Sequence, residues 1–182
     1  MVELSGVRLR LRPPAAGDVD VLVAGRDEDP GFAAAGEEAR ARLLKEIERR
    51  PTLEYGGFLS LVIEVEGAVV GDIQGRAPKH GFPPGVCEIG ITLFAAERSK
   101  GYGLEAVELF TEHLLANGWP RVQASTAVEN RPMRRVLERA GYAYEGVLRS
   151  YAPTDGGRRE DYAMYAATRS SAGGAADFRP PR

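Results

Sequence analysis

A short segment that combines two glycines with two cations is the first part of the sequence that could do chemistry. Residues 97–106 read ERSKGYGLEA, with Gly101 and Gly103 one residue apart and with Arg98 and Lys100 just before them. An apolar run that favours helix, LEAVELFTEHLL, begins within this segment. Where a helix begins at glycines, its free backbone N–H groups and the positive end of its dipole point the same way. The segment therefore predicts an anion-binding site.

The order of these residues separates the segment from the common nucleotide-binding loops. A Walker A loop carries its lysine after the last glycine, whereas Lys100 precedes both glycines. A dinucleotide fingerprint is incomplete, because Ala106 stands where the third glycine would be, early βαβ units are missing, and no acidic ribose partner lies at the right distance. Two spaced glycines are also consistent with a helix that merely begins at glycine. The fragment alone leaves the nature of the anion open.

Hydrophobic periodicity predicts the elements that must hold this segment in place. Apolar–polar alternation and β-branched runs predict strands at residues 7–12, 58–65, 68–76, 87–94, 121–128, 142–149 and 160–167. Helical spacing predicts helices at residues 15–24, 37–50 and 132–139, and from the glycine segment to about residue 116. A strand therefore precedes the glycine segment and a helix follows it. This order predicts an α/β fold of the α+β type, with a mixed central sheet flanked by helices.

The composition is that of an ordinary globular domain. The chain has 182 residues, of which 43% are hydrophobic, and a net charge of -2 from 24 basic and 26 acidic residues. This charge argues against a general nucleic-acid binder. No apolar run approaches the roughly 18 residues of a membrane span, and the N-terminus lacks the apolar segment of a signal peptide. One cysteine and two histidines show no zinc-binding pattern.

We therefore expect a single domain over residues 1–169 and a disordered tail over residues 170–182. We also expect no metal, no nucleic-acid or membrane partner, and a cytoplasmic location.

Two motifs in the correct order resemble the GNAT superfamily of acyl-CoA-dependent N-acyltransferases. The first, R-x-x-G-x-G, falls on Arg98, Gly101 and Gly103. The ending GGRREDYAMYA is similar to the last hairpin of the RimJ/RimL branch of ribosomal-protein N-terminal acetyltransferases, and spermidine acetyltransferases are similar there too. The resemblance is close over residues 87–167 and looser before them. The second motif is filled by Asn130, Leu137, Gly141, Tyr142, Glu145 and Gly146.

The resemblance implies the GNAT fold, in which the strand at residues 87–94 splays from the strand at residues 121–128. It also implies acetyl-CoA as co-substrate, with the acyl-pantetheine arm in the resulting gap and the pyrophosphate at the glycine segment. Glycines let backbone N–H groups approach the phosphates, and the arm's amides can pair with a strand edge. The implied coenzyme-binding residues are Leu93, Phe94, Arg98, Ser99, Lys100, Gly101, Tyr102, Gly103, Leu104, Asn130 and Met133.

The resemblance also suggests catalytic residues. Glu88 lies where several family members carry a catalytic glutamate, and it could take a proton from the amine directly or through a water. The alternatives are a glutamate that binds the substrate ammonium or one that faces solvent. Leu137 stands at the family's usual tyrosine position, so Tyr142 is the remaining candidate acid, with core packing as its alternative. Cys87 should face away from Glu88 as a small core residue, which argues against an acyl-enzyme.

The expected function is direct transfer of an acetyl group to a primary amine in a ternary complex. Loops at residues 27–36, 77–86 and 151–159 should form the acceptor pocket. The acceptor stays open between a protein N-terminus, a polyamine and an amino-bearing small molecule, as do the acyl length and the choice between monomer and homodimer. Rival interpretations are a catalytically weak CoA-binding sensor module and a nucleotide-binding protein. For Asn130, an N-cap is the alternative to a coenzyme contact, and the two roles are compatible.

Overall fold

Eight strands form one sheet, with four helices on its two faces, in the computed structural model, which describes residues 2–27, 36–49, 52–54, 56–154 and 157–169. The strands are β1 (Leu4–Ser5), β2 (Arg10–Arg12), β3 (Phe58–Val65), β4 (Ala68–Arg76), β5 (Val86–Leu93), β6 (Arg121–Ala127), β7 (Ala143–Pro153) and β8 (Arg159–Thr168). The helices are α1 (Val19–Asp27), α2 (Gly36–Arg49), α3 (Tyr102–Ala116) and α4 (Arg131–Arg139). The predicted tail and most of the first predicted acceptor loop lie outside the described residues.

The predicted mixed sheet is confirmed. Its strand order is β1-β2-β3-β4-β5-β6-β8-β7, and of these neighbours only β5 and β6 run parallel within the described part of the chain. The bounds of β3 and β4 are those that alternation predicted, because the Glu66-Gly67 turn between them is a strong local signal. The bounds of this hairpin thus follow from a local pattern, whereas the mixed character of the sheet comes from the parallel pair β5–β6, whose strands α3 connects.

The first predicted strand was too long. Strand β2 begins only at Arg10, because the chain turns before it, with the N–H of Gly6 donating to the C=O of Leu9 at 2.8 Å. The side chain of Val7 is 95% exposed. The alternation of apolar and cationic residues from Val7 onward therefore describes a turn followed by a short strand.

The two faces of the sheet carry different helices. Cys87 packs in the main hydrophobic core with Phe110 and Leu114 of α3. Val62 packs on the other face with Leu22 of α1 and residues of α2. Because successive strand residues point to opposite faces, the residue after Cys87 lies on the face that α1 and α2 cover.

The parallel pair β5–β6 separates after three residue pairs. The pairing runs from Val86↔Arg121 to Glu88↔Gln123 and then stops. Residues 89–93 of β5 pair with β4 only, and residues 124–127 of β6 pair with β8 only. The space between these two open edges, called here the β5–β6 gap, confirms the predicted splay. The two open edges present main-chain N–H and C=O groups that can form hydrogen bonds with a ligand.

Candidate active site

The loop that follows β5 contains two residues in the left-handed backbone region. Ser99 has φ 62, and Gly101, the N-cap of α3, has φ 88. L-residues other than glycine rarely adopt such angles. A β carbon at Gly101 would also lie 3.1 Å from Nη2 of Arg8. The left-handed backbone therefore favours glycine here, and a larger residue would also displace the tip of the Arg8 side chain by a few tenths of an ångström.

The first turn of α3 presents unpaired amides. The first backbone bond of the helix joins the N–H of Glu105 to the C=O of Gly101 at 3.3 Å, and the N-cap makes no side-chain bond. Among the described residues, no acceptor is found for the N–H groups of Tyr102, Gly103 and Leu104. Such a turn stabilises an anion through its N–H groups and the helix dipole.

Gly103 leaves space beside these amides. Among the described residues, a β carbon there would meet only Cδ1 of Leu93, at an ordinary 3.4 Å. Internal packing therefore does not require glycine at this position, and the open surface that it leaves fits a ligand that approaches the backbone closely.

The two cations of the loop make contacts within the chain. Nε of Arg98 donates to the C=O of Leu93 at 3.0 Å, which ties the loop to the end of β5. Nζ of Lys100 lies 3.0 Å from a carboxylate oxygen of Glu97. Direct phosphate contacts by these side chains stay predictions.

The main chain of Phe94 is already hydrogen-bonded. Its N–H donates to the C=O of Val70 at 3.0 Å, and its C=O accepts from the N–H of Glu97 at 2.8 Å. Its ring packs against α1 so closely that a β carbon at Gly25 would lie 2.1 Å from a ring carbon. These bonds occupy the N–H of Phe94 and one of the two acceptor sites of its C=O, and the predicted main-chain contact of Phe94 with the coenzyme stays a prediction. Strand β5 itself ends at Leu93.

Glu88 occupies the closed end of the β5–β6 gap. It is 3% exposed, which excludes the alternative that it simply faces solvent. One carboxylate oxygen pairs with the guanidinium of Arg76 on β4, and the other accepts from Nε2 of Gln123 on β6 at 3.2 Å. The sheet register places these three residues in one row. The carboxylate is thereby fixed beneath a cation that is itself half exposed.

Side-chain contacts continue this row from Gln123 toward β7. Oε1 of Gln123 accepts from Nε of Arg121 at 3.1 Å, and Nη1 of Arg121 donates to Glu145 at 2.8 Å. The hydrogen bond and the opposite charge hold the pKa of Glu145 below its ordinary value. A chain of contacts between charged side chains and the neutral Gln123 therefore connects β4 to β7.

Tyr142 lies in the main core. It is 4% exposed, and its hydroxyl lies 2.6 Å from Oγ1 of Thr111 on α3. Burial raises the pKa of the Tyr142 hydroxyl far above its ordinary value. This environment fits the packing alternative, because the hydroxyl shares the core with Cys87 on the face opposite Glu88. Leu137, at the family's usual tyrosine position, is fully buried.

The environment of Cys87 agrees with the prediction that it is a core residue. The thiol is fully buried, and burial raises its pKa to about 12. A thiol with this pKa is almost entirely protonated at neutral pH and is therefore a poor nucleophile.

Asn130 is the N-cap of α4. Its Oδ1 accepts from the N–H of Met133 at 3.2 Å, and proline stands in the first turn. The predicted capping alternative is thus realised, while the amide NH₂ of this exposed side chain is not needed for the cap. Met133 packs partly against the main core.

Sequence reasoning missed Arg8. This side chain contacts Glu105 and the main chain of Lys100, although 97 and 92 residues separate them along the chain. Spacing offers no signal for contacts at that range.

In the described part of the chain, no group of three or more histidine, cysteine, aspartate or glutamate residues is placed to hold a metal. The helices described there are too short or too polar to cross a membrane.

Solved structures with the same fold are numerous. An acetyltransferase from Salmonella typhimurium that modifies the N-terminal serine of ribosomal protein L7/L12 matches with a TM-score of 0.75 and 19% identity, covering 93% of this chain and 100% of that one. RimJ from Mycobacterium smegmatis, solved with a CoA disulfide, matches with a TM-score of 0.74 and 22% identity over 96% and 91% of the two chains.

A third similar structure is the microcin C7 self-immunity acetyltransferase MccE in complex with acetyl-CoA and AMP. It has a TM-score of 0.72 and 18% identity and covers 90% of this chain and 93% of its own. These likenesses confirm a RimJ/RimL-like fold.

Sequence comparison gives the family. No curated protein sequence matches the chain significantly. The family described as acetyltransferase (GNAT) domain matches residues 8–143, well over half of the 182 residues. That stretch contains β2 to α4, including the β5–β6 gap and the first turn of α3. The chain belongs to the GNAT acetyltransferase family.

Proposed function

We propose that this acyl-CoA-dependent acetyltransferase transfers the acetyl group of acetyl-CoA to the α-amine of a peptide or protein by direct attack in a ternary complex. The observation that carries the proposal is the β5–β6 gap. One end of the gap lies at the amide-lined first turn of α3, and the other ends at the buried Glu88.

The two ends of the gap suit the two ends of acetyl-CoA. The unpaired amides of residues 102–104 would receive the pyrophosphate. The open edge at residues 89–93 extends over ~16 Å at ~3.3 Å per residue and offers main-chain groups to the amides of the pantetheine arm. When bound, the coenzyme supplies a thioester whose thiolate is an acceptable leaving group. Its reactive end would then point toward the closed end of the gap.

The face of Glu88 suits a cationic acceptor. Asp72 on β4 is 4% exposed and lies on this same face, as do the buried Ser60 and Gln123. Polar groups and two carboxylates therefore line the sheet where the acceptor would approach. An ammonium group is stabilised by such surroundings before it loses its proton.

An α-amine suits this site better than a lysine-like amine. Both oxygens of Glu88 already accept hydrogen bonds, one of them from a guanidinium. An α-amine, with a pKa of about 8, needs less help than an amine with a pKa of about 10.4. The similar Salmonella enzyme modifies an N-terminal serine, which supports the same choice.

The test measures release of free CoA with matched acceptors. A lysine-free peptide with a free N-terminus should be acetylated faster than its N-terminally blocked counterpart with one lysine, or than spermidine. Glu88→Gln should lower kcat by about 100-fold, the range of one general base, while the Kd for CoA stays unchanged. Glu145→Gln, the same change at the far end of the row, is the control.

Two outcomes would contradict the proposal. Normal turnover of Glu88→Gln at every pH would show that Glu88 is not the general base. CoA binding without turnover on any amine would favour a sensor module. A comparison of acetyl-CoA with longer acyl-CoA thioesters would fix the acyl length.

We propose a cytoplasmic location, on the grounds of the sequence alone, and a homodimer that forms at strand β7. This strand is the last of the eight-stranded sheet and exposes the side chains of Tyr144, Val147 and Tyr151. An edge strand with exposed apolar side chains favours association with a second copy.

A further inference from the structure

Arg8 lies just before β2 and contacts the loop that would bind the coenzyme pyrophosphate. Its main-chain N–H and its Nε donate to the two carboxylate oxygens of Glu105, at 2.8 and 2.9 Å. Its Nη1 donates to the C=O of Lys100 at 3.0 Å. A single residue of the N-terminal segment thus holds both the loop and the first turn of α3.

The guanidinium of Arg8 also covers the side chains next to this turn. Its Cζ lies 5.3 Å from the ring centroid of Tyr102, a cation–π distance. Its Nη2 would lie 3.1 Å from a β carbon at Gly101. The side chain nevertheless stays 49% exposed. The positive charge therefore sits at the surface beside the unpaired amides.

Glu105 makes this contact necessary. Its carboxylate stands in the first turn of α3, where a negative charge stabilises the helix but repels an anionic ligand. Burial favours the neutral acid, yet the hydrogen bonds from Arg8 outweigh burial and lower the pKa of Glu105. The carboxylate is thus charged at neutral pH, and Arg8 is the cation that meets it.

We propose that Arg8 is a positioning residue for the coenzyme loop: it cancels the charge of Glu105 and binds the carbonyl of Lys100, so that the first turn of α3 presents only donors to the phosphates. The inference rests on the proposed binding of acetyl-CoA in this site. It assigns a role in coenzyme selectivity to a residue far from the R-x-x-G-x-G motif.

The test compares two thioesters that differ in their phosphates. Arg8→Gln should lower kcat/KM for acetyl-CoA at least about tenfold, equivalent to about 1.4 kcal/mol, and should leave kcat/KM for acetyl-pantetheine unchanged. The Kd for CoA, measured by calorimetry, should rise by the same factor, while kcat at saturating acetyl-CoA stays constant. Arg8→Lys should retain part of the affinity, because it keeps the charge but loses the fork.

A matched control and a second substitution separate charge cancellation from general damage. Arg10→Gln removes an exposed arginine two residues away that pairs with Glu3, and it should change neither thioester. Adding Glu105→Gln to Arg8→Gln should restore most of the CoA affinity, because no carboxylate then needs to be cancelled.

Three results would overturn the inference. These are an unchanged Kd for CoA in Arg8→Gln, an equal loss for both thioesters, and a double variant that binds CoA as weakly as Arg8→Gln alone. Each of these results requires that the wild-type protein itself binds CoA. A wild type that does not bind CoA would instead refute the proposed function itself.

Discussion

At the scale of single residues, Gly101 shows most directly how backbone geometry serves the site. Its left-handed conformation turns the chain from the loop into α3, where the next three amides have no acceptor among the described residues. An alanine in this conformation costs roughly 1–2 kcal/mol. This cost lowers the free energy of unfolding of the unliganded protein. If the loop changes conformation to avoid the strain, the affinity for CoA falls as well.

Gly101→Ala should therefore lower the free energy of unfolding by roughly 1–2 kcal/mol and weaken CoA binding further. Gly118→Ala is the matched control, because Gly118 has φ 93 beyond the C-terminus of α3 with open space around it. Chemical denaturation and calorimetry of CoA binding measure the two effects. Equal CoA affinities of the two variants would show that the Gly101 conformation does not serve the ligand.

Asn130 is the N-cap of α4 and a predicted contact of the pantetheine arm, and two substitutions separate these roles. Asn130→Ala should reduce stability by about 1 kcal/mol, the usual cost of an N-cap. Asn130→Asp should restore stability, since its carboxylate can accept from the N–H of Met133, but it lacks the amide NH₂. If that NH₂ binds the pantetheine arm, the KM for acetyl-CoA rises in both variants. A normal KM for Asn130→Asp would leave the cap as its sole role.

At the scale of elements, local patterns predicted what local interactions determine. Alternation and the Glu66-Gly67 turn gave the bounds of the β3–β4 hairpin, and the glycine segment gave the start of α3 within a residue or two. The length of β2 was overestimated, because a turn near Gly6 interrupts an alternating pattern without altering it. Periodicity describes side-chain polarity and does not report where the main chain reverses.

The environment of Glu88 could not be predicted in the same way. Its partners, Arg76 and Gln123, come from two other strands and are selected by sheet register. A one-residue change of register would place other side chains there. The burial of the Tyr142 hydroxyl against Thr111 depends likewise on how α3 packs on the sheet. Family motifs gave the positions of these residues, and tertiary structure gave their surroundings.

At the scale of the whole molecule, the exposed edge at β7 predicts association. Sedimentation should show a dimer. Tyr144→Glu combined with Val147→Glu should convert it to a folded monomer, because the new carboxylates on the edge strand of one copy would repel those on the edge strand of the other. Glu3→Gln, at the opposite end of the sheet, serves as a control on an exposed charge. A wild type that sediments as a monomer at all concentrations would contradict the homodimer.

The three residue pairs that join β5 to β6 have a mechanical consequence. Strands β1 to β5 form one half-sheet and strands β6 to β8 another, and in the described part of the chain the β-ladder that joins the two halves is confined to the three pairs from Val86↔Arg121 to Glu88↔Gln123. Few main-chain bonds therefore oppose bending about the β5–β6 line, and the side-chain contacts from Arg76 to Glu145 cross that line and tie the two halves together. An extended ligand that paired with both open edges would add main-chain bonds where this ladder stops and would stiffen the sheet there.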